Sequence, residues 1–199
     1  MAAESTLSKE TILDTAEQVL RRYGDKTNVV DVAKVLRVSH GTLYRHFASK
    51  AALLEAVTER WLHRISLPLE AISNQQDGSS PERLRIWLET LIRSKQQSAA
   101  DDPELFSIYT AVTSQGTELI ENHVHYLITL LSRIVEQGVI EQVFKSGEPG
   151  ATARAIFMAT VRFHHPAHAY EGDAVTKQHD FELVWQLILA GIVRADTKL

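Results

Sequence analysis

The stretch "VVDVAKVLRVSHGTLYRHFASKAALL", residues 29 to 54, constrains the fold more than any other part of the chain. It holds two short amphipathic runs separated by a tight break at Leu36 to Val38. Val29, Val32, Ala33 and Leu36 recur at helical spacing, with Thr27 or Asn28 placed to cap them and Asp31 near the positive N-terminal end. Ser39 is a good N-cap for the next run, in which Leu43 and Phe47 lie four apart. Two helices joined in this way form a helix-turn-helix unit. Ala33 is small where the helices cross, Val38 and Leu43 turn inward, and Phe47 closes the base.

The outward positions of the second helix are then Ser39, His40, Thr42, Tyr44, Arg45 and His46. They offer hydrogen-bond donors and planar side chains, the groups that meet base edges and phosphates. Gly41 has no side chain to hold a backbone off. The plainer reading is a helical packing unit whose Tyr44 and His46 are ordinary surface residues.

The rest of the chain reads as all-α. "SKETILDTAEQVLRR" (8 to 22) is a first helix, with Ser8 or Thr11 as cap and Gly24 as its stop. A fourth helix runs from about Lys50 to about Ile72, capped by Ser49, and Pro68 kinks or ends it. After the loop "SNQQDGSSP" (73 to 81) come helices in "ERLRIWLETLIRSKQQSA", "DDPELFSIYTAVTS", "GTELIENHVHYLITLLSRIVEQGVIE", "ATARAIFMATVRF" and "KQHDFELVWQLILAGIVRA". That makes about nine helices and no convincing strand. The first three form one unit, residues 1–50, and the fourth joins it to a helical bundle, residues 51–199.

Charge is uneven. Residues 1–60 hold nine basic against eight acidic side chains, and the remainder twelve against seventeen. The net charge of −4 argues mildly against nucleic acid, but a polyanion binder can carry an acidic body if its basic groups share one face. The absence of cysteine excludes disulfides and thiolate chemistry and fits a cytoplasmic protein. "MAAESTLSKE" has no apolar core, so no signal peptide is expected, and no apolar run is long enough for a membrane span.

The tract "ILDTAEQVLRRYGDKTNVVDVAKVLRVSHGTLYRHFASKAALLEAV" resembles the N-terminal domain of the TetR family of bacterial transcriptional regulators. The resemblance covers residues 9–57, with the first helix, "YG", the threonine, "VVDVAKVLRVS" and "GTLYRHFASKAALL" in the family's order. It implies that Thr27 binds a backbone phosphate, that Ser39, His40, Gly41 and Thr42 face the major groove, and that Tyr44 and His46 touch phosphate. Lys50 matches the family's lysine at the start of the fourth helix, and a helix N-terminus beside a lysine suits phosphate in any case. Leu43 and Phe47 match core positions. Arg37 departs from the pattern, which most often has glycine in the turn. A left-handed arginine there costs roughly 1 kcal/mol, and it adds a positive charge beside the expected DNA.

The resemblance also implies a homodimer on palindromic double-stranded operator DNA, because two recognition helices must reach successive major grooves about 34 Å apart. The last helix is apolar on more than one face, and Phe181, Val184, Trp185, Ile188, Leu189 and Ile192 are expected at the subunit interface, with Ala151 to Phe163 alongside. The alternative is burial within one subunit. Trp87, Phe106, Tyr109, Tyr126 and Phe157 are rings that either line a pocket for a small apolar or aromatic effector or simply fill the core.

"RFHHPAHAYEGD" holds His164, His165 and His168, with Glu171 and Asp173 near. The first and last histidines have the spacing of a helical metal pair, but Pro166 breaks the helix between them. Capping and loop hydrogen bonds are the better account, so no metal and no cofactor is expected. There is no nucleophile motif and no glycine-rich phosphate loop, which argues against an enzyme. The leading expectation is a DNA-binding repressor released by an effector. A helical adaptor keeping the helix-turn-helix for packing is the alternative.

Overall fold

Why these segments become helices is visible at their ends. In the computed structural model, which describes residues 7–195, helix α1 spans Lys9–Tyr23. The Ser8 hydroxyl accepts from the Thr11 backbone N–H at 3.1 Å, and Gly24 ends the helix at a φ of 58°. A single 3-10 turn (Gly24–Lys26) leads to α2 (Val29–Leu36). Asn28 caps α2 in a reciprocal box: its side chain accepts from Val30, and the Asp31 carboxylate accepts from the Asn28 N–H at 3.0 Å. Next come α3 (His40–Tyr44) and α4 (Lys50–Asn74). The Ser49 hydroxyl accepts from Ala52 N–H at 3.1 Å at the start of α4.

Helix α4 does not end at Pro68: it carries the proline inside it and continues to Asn74. Pro68 lies on the exposed side of the helix, where a carbonyl that loses its helical donor is open to solvent. The remaining helices are α5 (Ser80–Asp101), α6 (Pro103–Ser114), α7 (Glu118–Ile140), α8 (Pro149–Ala159), α9 (Val161–His164) and α10 (Ala174–Ile192). A second 3-10 turn, Pro166–His168, follows α9. The described residues therefore hold ten α-helices, and extended pairing among them is limited to one bridge between Phe144 and Val193. The tenth helix arises because "ATARAIFMATVRFH" is split at Thr160 into α8 and α9.

The helices form two compact units. One contains the described residues up to Leu62 together with Ser98–Leu119. The other contains His63–Gln97 together with the described residues from Ile120 onward. In the first unit Ile12, Ala16, Leu20, Val32 and Leu43 are buried. The buried Glu17 carboxylate accepts from Arg60 Nε at 2.9 Å, and the same guanidinium reaches Asp14 at 2.7 Å. This fastens α1 to the N-terminal half of α4. Helix α6 belongs here too: Arg21 Nε donates to Asp102 at 2.6 Å, and the Glu104 carboxylate lies against Gly24.

In the second unit Leu84, Leu88, Leu91, Leu130, Leu131 and Ile134 form the core. Arg85 ties α5 to Glu182 of α10 and lies over the Trp185 ring at 5.8 Å. Lys145 donates to the Gly191 carbonyl at 2.8 Å and to that of Ala190 at 3.2 Å, placing a cation on the negative end of α10.

Candidate nucleic-acid interface

The helix-turn-helix is assembled from α2 and α3. Arg37 holds the turn in the left-handed region, φ 56° and ψ 39°, and its N–H donates to Lys34 O at 3.1 Å. The Val38 N–H then donates to Ala33 O at 3.0 Å. The turn thus satisfies the last carbonyls of α2 as a glycine would, at a backbone cost of roughly 1 kcal/mol.

Beyond it, Ser39 caps α3, its hydroxyl accepting from Thr42 N–H at 3.2 Å. The Thr42 hydroxyl lies 2.9 Å from Ser39 Oγ and accepts from Arg45 Nη2 at 3.3 Å. Leu43 is fully buried and Phe47 nearly so, which fixes the opposite face outward. His40, Gly41, Tyr44, Arg45 and His46 are all exposed on that face, as are Ser39, Arg37 and Lys50, while Thr42 is half-buried. Helix α3 is shorter than the two turns expected. His46 and Phe47 still donate to the Leu43 carbonyl at 2.9 Å, so a last turn carries both side chains.

Thr27 is the exception. It is buried at 3% exposure, and its hydroxyl donates to the Val19 carbonyl at 3.4 Å. In this structure its side chain joins α1 to the start of α2 rather than facing solvent.

The rings singled out in the sequence do not all share one place. Phe106 and Tyr109 pack together in the first unit, with centroids 5.9 Å apart, and Trp61 of α4 lies tilted against Tyr109 with centroids 4.2 Å apart. Trp61 belongs to this cluster although the pocket expectation had left it out. Its place on the apolar stripe of α4 was the available signal. Burial pushes the Tyr109 phenol up to about 12, so it stays protonated. Trp87, Tyr126 and Phe157 lie in the second unit, Trp87 and Phe157 buried and Tyr126 exposed. A groove of about 570 Å³ in that unit is lined by other side chains, among them Ile92, Arg93, Gln96, Phe163, Lys177 and Phe181.

Of the residues expected at a subunit interface, Phe181, Trp185 and Ile188 are buried within the chain's own second unit, and Val184, Leu189 and Ile192 are half-buried. The exposed large apolar residues of α10 are instead Val175 (80%) in its first turn and Leu183 (59%) and Leu187 (74%) further along, with Met158 exposed on α8.

The histidines near the end of α9 have local partners. His164 is buried against the Phe157 ring at 4.6 Å, with Nε2 3.5 Å from the Thr160 hydroxyl. His165 Nδ1 accepts from Ala167 N–H at 3.2 Å, capping the 3-10 turn, and His168 Nδ1 is 2.9 Å from the Glu171 carboxylate.

A capped helix held outward by its own buried anchors, with Arg37, Arg45 and Lys50 exposed at its flanks, defines a helix-turn-helix unit. Comparison with known proteins gives the family. Residues 12–57 match the model of the tetR family of bacterial regulatory proteins, and residues 80–185 match the tetracyclin repressor-like C-terminal domain. The chain belongs to the TetR family, which is one of transcriptional regulators. The regulator UidR of Escherichia coli K12 is 34% identical over 77 residues, 36% of this chain and 39% of that protein. An HTH-type transcriptional regulator of Staphylococcus aureus is 32% identical over 72 residues, 35% of this chain and 38% of that one. The chain thus spans under two fifths of the curated relatives it matches.

Among solved structures, SmeT, the repressor of the Stenotrophomonas maltophilia multidrug efflux pump SmeDEF, aligns with 97% of this chain and 94% of its own. Its TM-score is 0.68 at 20% identity. A TetR-family regulator from Pectobacterium atrosepticum aligns at a TM-score of 0.72 and 23% identity, over 92% of this chain and 93% of that one. These share the fold along most of the chain.

Proposed function

We propose that the protein is a homodimeric transcriptional repressor that binds palindromic operator DNA through α3 and releases it when a small effector occupies the body. The observation that carries this reading is the outward face of α3 and its flanks, where Arg37, His40, Tyr44, Arg45, His46 and Lys50 are exposed around a buried Leu43 and Phe47. Ser39, His40, Gly41 and Thr42 read base edges in the major groove. Tyr44, His46, Arg37 and Lys50 hold phosphates, Lys50 from the N-terminus of α4. Thr27 contributes through the start of α2, its side chain being engaged with Val19. Arg45, fixed by the Thr42 hydroxyl, is pre-positioned for either role.

Residues 1–50 form the reading part and residues 51–199 the effector and dimer part. Two copies are required because one α3 makes few contacts, and two-fold symmetry matches the two halves of a palindrome. The interface is best supported on Leu183 and Leu187 of α10 with Met158 of α8, all exposed and apolar. Half-buried Val184, Leu189 and Ile192 border it, while Phe181, Trp185 and Ile188 back it from inside. The repressor sense rests on the tetracyclin repressor-like match and on the likeness to SmeT. Trp87, Tyr126 and Phe157 of the second unit remain ring candidates for the effector's surroundings, and Phe106 and Tyr109 of the first unit are a separate candidate pair. Among the described residues no helix is long and apolar enough to cross a membrane, and a cytoplasmic protein acting on chromosomal DNA is the consistent setting.

The test is retention of fragments from the source genome on the immobilised full chain, followed by footprinting. A protected, two-fold-related sequence supports the reading. Retention of all fragments alike, or of none, contradicts it.

A further inference from the structure

Residues 32–54 carry four lysines and arginines, Lys34, Arg37, Arg45 and Lys50, and no acidic side chain; Asp31 and Glu55 are the carboxylates on either side. A further cation reaches this stretch from outside it. The ammonium of Lys9, the first residue of α1, lies over the Phe47 ring, 5.7 Å from its centroid. The ring is buried at 4% exposure, while Lys9 itself is exposed.

That contact fixes where the charge is held. A lysine stem laid on apolar surface keeps its ammonium on the water side, and a ring face attracts the cation. Phe47 closes the last turn after α3, its N–H donating to the Leu43 carbonyl at 2.9 Å. His46 before it and Ala48, Ser49 and Lys50 after it are all exposed. The three steps from Phe47 to Lys50 span at most about 11 Å, so Lys9 stands at the same edge of the first unit as His46 and Lys50. Lys9 and Lys50 each open a helix, where the backbone adds partial positive charge.

The acidic groups of α1 are directed elsewhere. Glu10, Asp14 and Glu17 turn to Arg60 of α4, at 3.3, 2.7 and 2.8 Å. Among the described residues no carboxylate pairs with Lys9. A ring-held, exposed ammonium bordering an acid-free surface suits an anion that arrives from outside.

We infer that Lys9 grips a backbone phosphate of the bound duplex beside Lys50, so that α1 as well as the helix-turn-helix holds the DNA. The inference rests on the operator reading above and adds to it a contact from a helix outside α2 and α3. A phosphate contact carries no base information, so it strengthens the binding of every duplex alike.

The test measures binding of the full chain to a mixed-sequence duplex of about forty base pairs over a salt series. Lys9→Met keeps a stem on Phe47 and removes the charge. It should bind about five- to tenfold more weakly at about 0.1 M salt, with the salt slope reduced by about one and the helical spectrum unchanged. Lys9→Arg should restore both affinity and slope. Arg93→Met removes an exposed charge from the second unit and should keep the wild-type slope. In the wild-type protein, duplex should shield Lys9 from an amine-acetylating reagent as it shields Lys50, read residue by residue by mass spectrometry. This last measurement needs no variant and stands if one fails to fold. A wild-type slope in Lys9→Met, an equal loss in Arg93→Met, binding by Lys9→Arg as weak as by Lys9→Met, or full acetylation of Lys9 in the complex would each overturn the proposal. With duplex bound, these outcomes remove the Lys9 contact alone, whereas a wild-type chain that binds no duplex at any salt would overturn the operator reading with it.

Discussion

Arg37 combines an unfavourable backbone with a favourable charge. Its φ of 56° is where glycine is cheaper. Arg37→Gly should leave the fold as stable or up to about 1 kcal/mol more stable, as read by chemical denaturation. The same change removes a cation beside the reading helix, so duplex affinity should fall and its salt slope drop by about one. Unchanged affinity would place Arg37 away from the phosphates. Much at this scale was legible in the sequence. Ser39, Leu43 and Phe47 take their roles from spacing within a few residues, and those roles survive folding. Thr27 was not legible in this way, because a carbonyl eight positions earlier, that of Val19, decides where its hydroxyl points.

The helices themselves were largely readable from periodicity and caps, and the deviations have physical causes. Helix α4 runs on past Pro68 to Asn74, with the proline on its exposed side. The joint that follows α7 depends on a close approach that no periodicity reveals. Gly138 sits on the Phe144 ring, and a Cβ there would overlap that ring, while Val143 and Phe144 both donate to the Gly138 carbonyl. Phe144 is buried and cannot swing away freely. Gly138→Ala should therefore destabilise the protein by about 1–3 kcal/mol despite alanine's better helix propensity. An unchanged midpoint in urea would mean that the Phe144 ring relocates at no cost. The association of α6 with α1 was equally hidden in the sequence, since it brings together residues such as Arg21 and Asp102, 81 positions apart.

For the whole molecule, the last helix shows where composition misleads. The interface expectation took in rings and aliphatic side chains of α10 alike, yet Phe181, Trp185 and Ile188 fill the chain's own second unit while Val175, Leu183 and Leu187 face out. A helix apolar all round must bury two faces, and the sequence does not say which goes where. Leu187→Glu should give folded monomers in sedimentation with operator binding lost, whereas Trp185→Glu should unfold the second unit. Folded dimers in Leu187→Glu would move the interface elsewhere.

Stability should also fall on acidification well before the carboxylates titrate. His123 and His164 have folded values near 3 against about 6.5 unfolded. The unfolded chain therefore binds protons first, and stability present above pH 6.5 is lost as pH falls toward 3. Lys95, near 7 when folded and about 10.5 when unfolded, acts in the same sense between those values. A melting temperature that stays level from pH 7 to pH 5, in place of a drop of several degrees, would contradict the burial of both imidazoles.

The central claim, a two-fold protein reading DNA through α3, is tested most directly by the salt dependence of binding to a retained genomic duplex, measured together with its footprint. The account predicts log-linear weakening with added salt, a slope set by several phosphate contacts, and two protected half-sites one helical turn, about 34 Å, apart. Salt-insensitive binding, or a single protected half-site, would contradict it.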